Sequence, residues 1–295
     1  MRLFFITSII VSALFISCKQ DTSEKELPEN SVESPISETI ATDTISEKPV
    51  DRDLKKLEGI SIKQNELKTK PDEREALETL VIEKKLTKED DLFTLKFTYP
   101  LLNEKINPAY RNFNQYITEQ YVDVVGTEAS ILEDAELICD SIRANRFHEV
   151  RTIDYKIYNL NDKHISILFY KENFYARTLH PSLSFTCLNY DLNNASFLKY
   201  EDIFTTGSEE TLRGILNDEI TRQIAAGDLY YDCWELSSED FFQYKNNFVL
   251  HDTYAEFYFD DCIVCPSYTG TYSVHVSLEK LLPVLRNYSN SPFKG

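Results

Sequence analysis

Glycine is scarce, at 7 of 295 residues. A Gly-rich phosphate cradle or a dinucleotide-binding turn needs several glycines at fixed spacing, and neither pattern is present. Basic residues are outnumbered 31 to 49, for a formal charge of −18. That argues against a nucleic-acid binder, which must neutralise phosphates with Lys and Arg. No internal apolar run reaches the roughly 20 residues that cross a bilayer as a helix. GxSxG, HExxH and EF-hand loops are all missing. Phe, Tyr and Trp do not occur at all in residues 19–85. What is there suffices for a real core: 42% of the chain is hydrophobic and 13% aromatic, which excludes disorder throughout.

The amino end reads as an address. Arg2 precedes a largely apolar run over residues 3–16, which ends at Ser17-Cys18. A charged start, a short apolar stretch and a small residue before a cut define a secretory signal. In Leu14-Phe15-Ile16-Ser17-Cys18 the cysteine after the cut is the feature of bacterial lipoprotein signals. Its thiol is the nucleophile that takes diacylglycerol, and acyl chains such as palmitate then hold the protein at a membrane, at roughly 0.8 kcal/mol per buried methylene. The expectation is a signal peptide over residues 1–17 and lipid attachment at Cys18. An ordinary secretory signal with an incidental Cys18, or an uncleaved anchor, are the alternatives. Residues 18–85 follow as an acidic linker, mostly disordered, because a segment without aromatics cannot offset its ordering entropy. Within it, residues 72–80 are good helix-forming sequence.

Composition changes after Lys85. Residues 86–295 hold 18 basic and 32 acidic residues, a net of −14, and every aromatic outside the signal. Leu95, Phe97 and Tyr99 alternate as a strand does. Asn107-Pro108 signals a helix start, followed by Tyr110, Phe113, Ile117, Tyr121 and Val124 at helical spacing; a second helical piece is expected over residues 129–144. Residues 150–175 read as a hairpin around Asn161-Asp162, with Leu183, Phe185 and Cys187 as the next strand. Leu212, Leu216, Ile220 and Ile224 stripe a helix that Ser208 opens and Gly227 stops. Residues 248–250, 255–259 and 272–276 are further strands, and a short helix closes near residues 278–285. The class is α+β, an antiparallel sheet with helices packed on it. It divides into an N-terminal part over residues 86–190 and a C-terminal part over residues 191–295.

Candidates for chemistry are few. None of His148, His164, His180, His251 and His275 forms an HExxH or HxH pair. His275 is out of phase with Val274 and Val276, so it faces solvent or a polar rim. Glu201-Asp202, Glu239-Asp240 and Asp260-Asp261 read as solvated loop acids, since neighbours on a strand point to opposite faces. Cys262-Ile263-Val264-Cys265 could in principle ligate zinc or exchange thiols, but an exported compartment favours a structural disulfide. The mature part carries Cys139, Cys187, Cys233, Cys262 and Cys265, an odd number. The preferred bond joins Cys233 to Cys262 or to Cys265. No catalytic residue, metal site or cofactor is expected.

The order of short motifs carries a resemblance. His180-Pro181 leads into residues 183–190, then Asp191-Leu192, Leu198 and Asp202-Ile203-Phe204. Later come Phe248-Val249-Leu250, Phe257-Tyr258-Phe259-Asp260, a spacer with Gly270, and Val274-His275-Val276-Ser277-Leu278. Over residues 90–288 this succession resembles the extracellular domain of RsiV-type anti-sigma factors and the accessory domain of PdaC-type peptidoglycan deacetylases. The resemblance implies a non-catalytic, exported α+β module, which in the anti-sigma branch binds lysozyme. The expected protein is a lipid-anchored binding module of the cell envelope, periplasmic or facing outward. Its expected ligand is a basic protein such as lysozyme or a peptidoglycan-type glycan; Tyr254 and Tyr268 read first as core or rim aromatics, with stacking on sugar rings as the alternative. A structural envelope lipoprotein and a wall hydrolase dependent on His180 or Asp202 are the competing readings.

Overall fold

The computed structural model describes residues 67–286 apart from residues 71, 73–74, 139–146, 162, 177, 179–180, 230, 267–268 and 270–271. The readings at Cys18, Cys139, His180, Tyr268 and Gly270, and those on the signal and most of the linker, lie outside the described residues.

Six strands follow one another across a single sheet: β1 (Val81–Glu89), β2 (Phe93–Leu102), β3 (Glu149–Asn161), β4 (His164–Phe174), β5 (Ser182–Asp191) and β6 (Ser196–Leu198). All neighbours are antiparallel except β2 and β3, which run parallel. The expectation of an antiparallel sheet holds but for that pair. A long helical connection between β2 and β3 lets the chain return in the same direction.

β1 begins at Val81, inside the expected linker. It pairs with β2 from Val81↔Leu102 to Glu89↔Thr94. Only Val81 of its nine residues is buried, so its composition resembles a tether while its backbone belongs to a ladder. Charged side chains on an edge strand are how sheets block further pairing. The expected helix over residues 72–80 is not formed by its described part: residues 75–80 are turns. Asn103 takes up that backbone instead, donating its amide to the Leu80 carbonyl at 2.8 Å and its Nδ2 to the Thr79 carbonyl at 3.0 Å.

The β2–β3 connection contains a 3-10 turn (Pro108–Tyr110), α1 (Arg111–Tyr116), a π turn (Ile117–Val122) and α2 (Val124–Glu136). Asn107 caps the start by accepting the Ala109 amide. A helix from Pro108 through Val124 and a second piece over residues 129–144 were expected here; α2 supplies the second as far as Glu136, and the first is interrupted. Where it turns to π geometry, Thr118 Oγ1 bonds back to the carbonyls of Asn114 and Gln115, a contact that bends helices. Asp123 then adopts a left-handed φ of 31° and caps α2 through the Gly126 amide.

The second half holds α3 (Tyr200–Ile203), α4 (Glu209–Ala226), α5 (Ser238–Tyr244) and α6 (Leu278–Leu281), with a three-stranded sheet of β7 (Phe248–Leu250), β8 (Tyr254–Tyr258) and β9 (Ser273–Ser277). Gly227, at φ 80°, ends α4 as expected of a left-handed cap. Ser208 does not cap it with its side chain; its hydroxyl goes to the Thr205 carbonyl at 2.6 Å.

Three apolar layers result. Tyr110, Phe113, Ile117 and Ile131 pack on one face of the large sheet, against Leu95, Ile153, Ile157, Ile167 and Phe169. Leu212, Leu216, Ile220 and Leu281 pack on the small sheet through Leu250, Phe257, Val274 and Val276. Between the sheets lie Leu67, Tyr158, Leu168, Tyr170, Phe185, Cys187, Val249 and Tyr258. The order is thus helices, six-stranded sheet, three-stranded sheet, helices, an α+β architecture. The expected division at residue 190 falls at the end of β5, and the sheet continues past it into β6.

Side chains tie the two sheets. β5 pairs with β6 only over Asn189–Asp191, so amides further up its edge need other partners. The Cys187 amide donates to Asn247 Oδ1 at 2.6 Å, that of Phe185 to Asp260 Oδ1 at 2.8 Å, and that of Leu183 to Asp261 Oδ2 at 3.4 Å.

Candidate functional site

A cleft of about 430 Å³ opens between the sheets, lined by Lys70, Asp72, Ile157, Tyr158, His251, Tyr254, Glu256 and His275. Its position follows from register. β2 pairs only with residues 149–153 of β3, leaving the far half of β3 without that neighbour. On the small sheet Tyr254, Glu256 and Tyr258 share the face turned toward the large sheet, and Glu256 stands opposite His275.

Three rings form one wall. His251 stacks on Tyr254 with centroids 4.5 Å apart and planes 15° apart; Tyr254 and His275 are 4.2 Å apart at 39°. His251 is also held by Asp252 and, at 3.3 Å, by Thr253 Oγ1. His275 is exposed and Tyr254 half-buried. His275 therefore sits at a polar rim, and half-buried Tyr254 is the rim aromatic expected, its ring stacked against His251 and His275.

The floor is acidic. Glu256 is 4% exposed, and its Oε1 accepts from Lys70 Nζ at 2.5 Å and from Ser273 Oγ at 2.6 Å. Burial raises the phenols of Tyr158, Tyr254 and Tyr258, and the Glu256 carboxylate raises them further. All three stay neutral hydroxyls. Glu256 Oε1 thus accepts two hydrogen bonds within the cleft.

The remaining wall is a strap formed by residues 67–70, from the expected linker. Leu67 enters the layer between the sheets. Lys156, 2% exposed, donates its Nζ to the carbonyls of Lys68, at 3.2 Å, and of Lys70. Lys68 pairs with Glu172 at 3.2 Å. Neither Lys156 nor Glu256 was singled out from sequence. The available signal was a charged residue in a strand row whose neighbours are aromatic: Glu256 lies between Tyr254 and Tyr258.

The other expected candidates lie elsewhere. Cys233 and Cys265 form the disulfide, and half-buried Cys262 stands outside that bridge, with φ 65°. Cys187 is a buried thiol, raised by its burial. His148 contacts Thr94 Oγ1 at 3.1 Å, and His164 lies 3.8 Å from Asp191. Asp202 caps α3 by accepting the Lys199 amide at 2.8 Å, and Asp240 is bonded to Ser237. Asp260 and Asp261 are not solvated loop acids: burial raises both, Asp261 to about 6. Among the described residues no group of three or more His, Cys, Asp or Glu is placed to hold a metal ion, and no helix is long and apolar enough to cross a membrane.

The fold is an α+β module with two stacked sheets, and the cleft opens between them. No family model and no curated protein matches the chain. Among solved structures it is similar to a DUF3298 family protein from Pseudomonas aeruginosa PAO1, with a TM-score of 0.50 at 14% identity, over 73% of this chain and 95% of that one. A member of the DUF3298 family from Bacteroides fragilis NCTC 9343 aligns with a TM-score of 0.45 at 15% identity, over 70% of this chain and 92% of that one. At 14% identity, the first likeness concerns the fold alone.

Proposed function

We propose that the protein is a non-catalytic binding module of the RsiV/PdaC type, held at the cell envelope by lipid on Cys18, whose cleft takes a peptidoglycan-type glycan. The observation that carries this reading is the His251–Tyr254–His275 stack beside buried Glu256 and Lys70 in one cleft. The exposed His275 ring at the end of the stack offers a face to the C–H side of a sugar, and fixed acceptors and donors orient its hydroxyls. The cleft volume of about 430 Å³ lies within the range of small-ligand sites, roughly 300–1,000 Å³.

A second reading has one observation in its favour. Residues 86–295 carry a net −14, which would speed encounter with a cationic protein such as lysozyme, an effect that salt weakens. Titrating the protein with peptidoglycan fragments and with lysozyme, at low and high salt, separates the two. Glycan binding that survives salt and falls at least tenfold in His275→Ala and Glu256→Gln supports the cleft. Salt-sensitive lysozyme binding indifferent to both variants supports the second reading. No binding to either leaves a structural envelope lipoprotein, and turnover of the fragments would make it an enzyme.

A further inference from the structure

A separate cavity of about 310 Å³ lies between α2 and the large sheet. It is lined by Asp123, Gly126, Thr127 and Ser130 of the helix side, by Arg151, Lys171, Asn173 and Tyr175, and by an apolar base of Phe97 and Ile153. Its chemistry is an excess of donors. Arginine offers five N–H groups and lysine three. Arg151 is 9% exposed at its side chain, spends Nη2 on Glu149, and rests its guanidinium 3.8 Å from the centre of the Tyr175 ring. Its Nε has no hydrogen-bond partner. Lys171 gives one bond, to the Tyr121 carbonyl at 3.0 Å, and lies 4.2 Å from the centre of the Tyr121 ring.

Cations taken out of water need acceptors, and burial makes the Lys171 ammonium easier to deprotonate. The helix adds its own field: Asp123, Gly126 and Thr127 open α2, where the dipole favours negative charge. Asp123 folds back onto the Gly126 amide at 3.0 Å. A Cβ at that position would stand 2.1 Å from Asp123 Oδ2, so glycine is required for the carboxylate to lie there. Arg151, Lys171 and Asp123 leave the lining itself at +1, with Glu149 bonded to Arg151 just outside it.

We propose that this cavity is a binding site for a compact carboxylate, held by Arg151 and Lys171 and by the hydroxyls of Thr127 and Ser130. A single negative charge matches the lining. A dianion such as phosphate would meet Asp123 and nearby Glu149 as like charges, which costs more at twice the charge.

The test is an amide NMR titration of the whole protein with sodium acetate, with sodium phosphate and with sodium chloride at matched ionic strength. Acetate is expected to move Gly126, Thr127 and Ser130 saturably while chloride does not. Lys171→Met should weaken the effect about tenfold, the loss of one charge-assisted bond. Thr127→Glu, at a half-buried position, should abolish it by placing a carboxylate in the cavity. Asp123→Asn should tighten it several-fold. Shifts that are linear, equal with chloride, tighter with phosphate, or unchanged in both Lys171→Met and Thr127→Glu would overturn the assignment.

Discussion

Replacing Lys156 by methionine should detach the strap over the cleft while leaving the sheets intact. The side chain points away from Ile153, Tyr155 and Ile157, to the face where residues 67–70 lie, and its ammonium bonds the carbonyls of Lys68 and Lys70. Charged hydrogen bonds contribute about 1.5–3 kcal/mol each. Part of this is offset because methionine spares the cost of burying an ammonium, so the net loss is on the order of 1–3 kcal/mol. The strap has little margin. Fixing four residues costs roughly 4–8 kcal/mol of backbone entropy. Against that stand the Lys156 bonds, burial of Leu67 at about 1.5–3 kcal/mol, and the Lys70–Glu256 pair.

Amide hydrogen exchange reads this directly. Protection of residues 67–70 should fall about 10- to 100-fold in Lys156→Met, since 1.4 kcal/mol is a factor of ten. β4, whose Ile167 and Phe169 are fully buried, should keep its protection. Glycan affinity should drop with the strap, because Lys70 and Asp72 line the cleft. Unchanged protection of residues 67–70, or an equal loss in β4, would refute the view that Lys156 holds the strap locally.

Two further outcomes follow from the same packing. Removing the Cys233–Cys265 bridge, whose ends are 32 residues apart, as the double serine variant should cost about 3–4 kcal/mol by loop entropy; a guanidinium unfolding shift worth under about 1 kcal/mol would contradict that account. Asp261 has a folded-state pKa of about 6 against an ordinary 3.8, so between these values the native state holds a proton that the unfolded chain has released. Stability should therefore rise as pH falls from 7.5 to 5. After allowance for partial exposure, the gain is about 1 kcal/mol, from 1.36 kcal/mol per pKa unit over the unit between pH 6 and 5. Urea midpoints should show that gain shrinking in Asp261→Asn, and an identical pH response in both proteins would count against the buried carboxyl.

Local periodicity exposed much of this architecture and little of its contacts. Leu212, Leu216 and Ile220 with Gly227 mark α4, and the phase of His275 against Val274 and Val276 puts it on the rim, because both patterns span only a few residues. Lys156, by contrast, sits between Tyr155 and Ile157 in a strand, where alternation assigns it a face without saying what covers that face. The cover comes from Lys68 and Lys70, 88 and 86 positions away, and Lys70 in turn reaches Glu256 across 186. Composition likewise concealed β1, since a charged edge strand and a charged tether read alike. Asp260 and Asp261 show the same limit from the other side. As a sequence pair they look solvated, yet β5 has a bare edge at Leu183 and Phe185, and the two carboxylates, with Asn247 at Cys187, stand in for a missing strand. Their burial is the consequence of joining one sheet to the other. Their raised proton affinity therefore follows from a structural duty, and it requires no catalytic role for the pair.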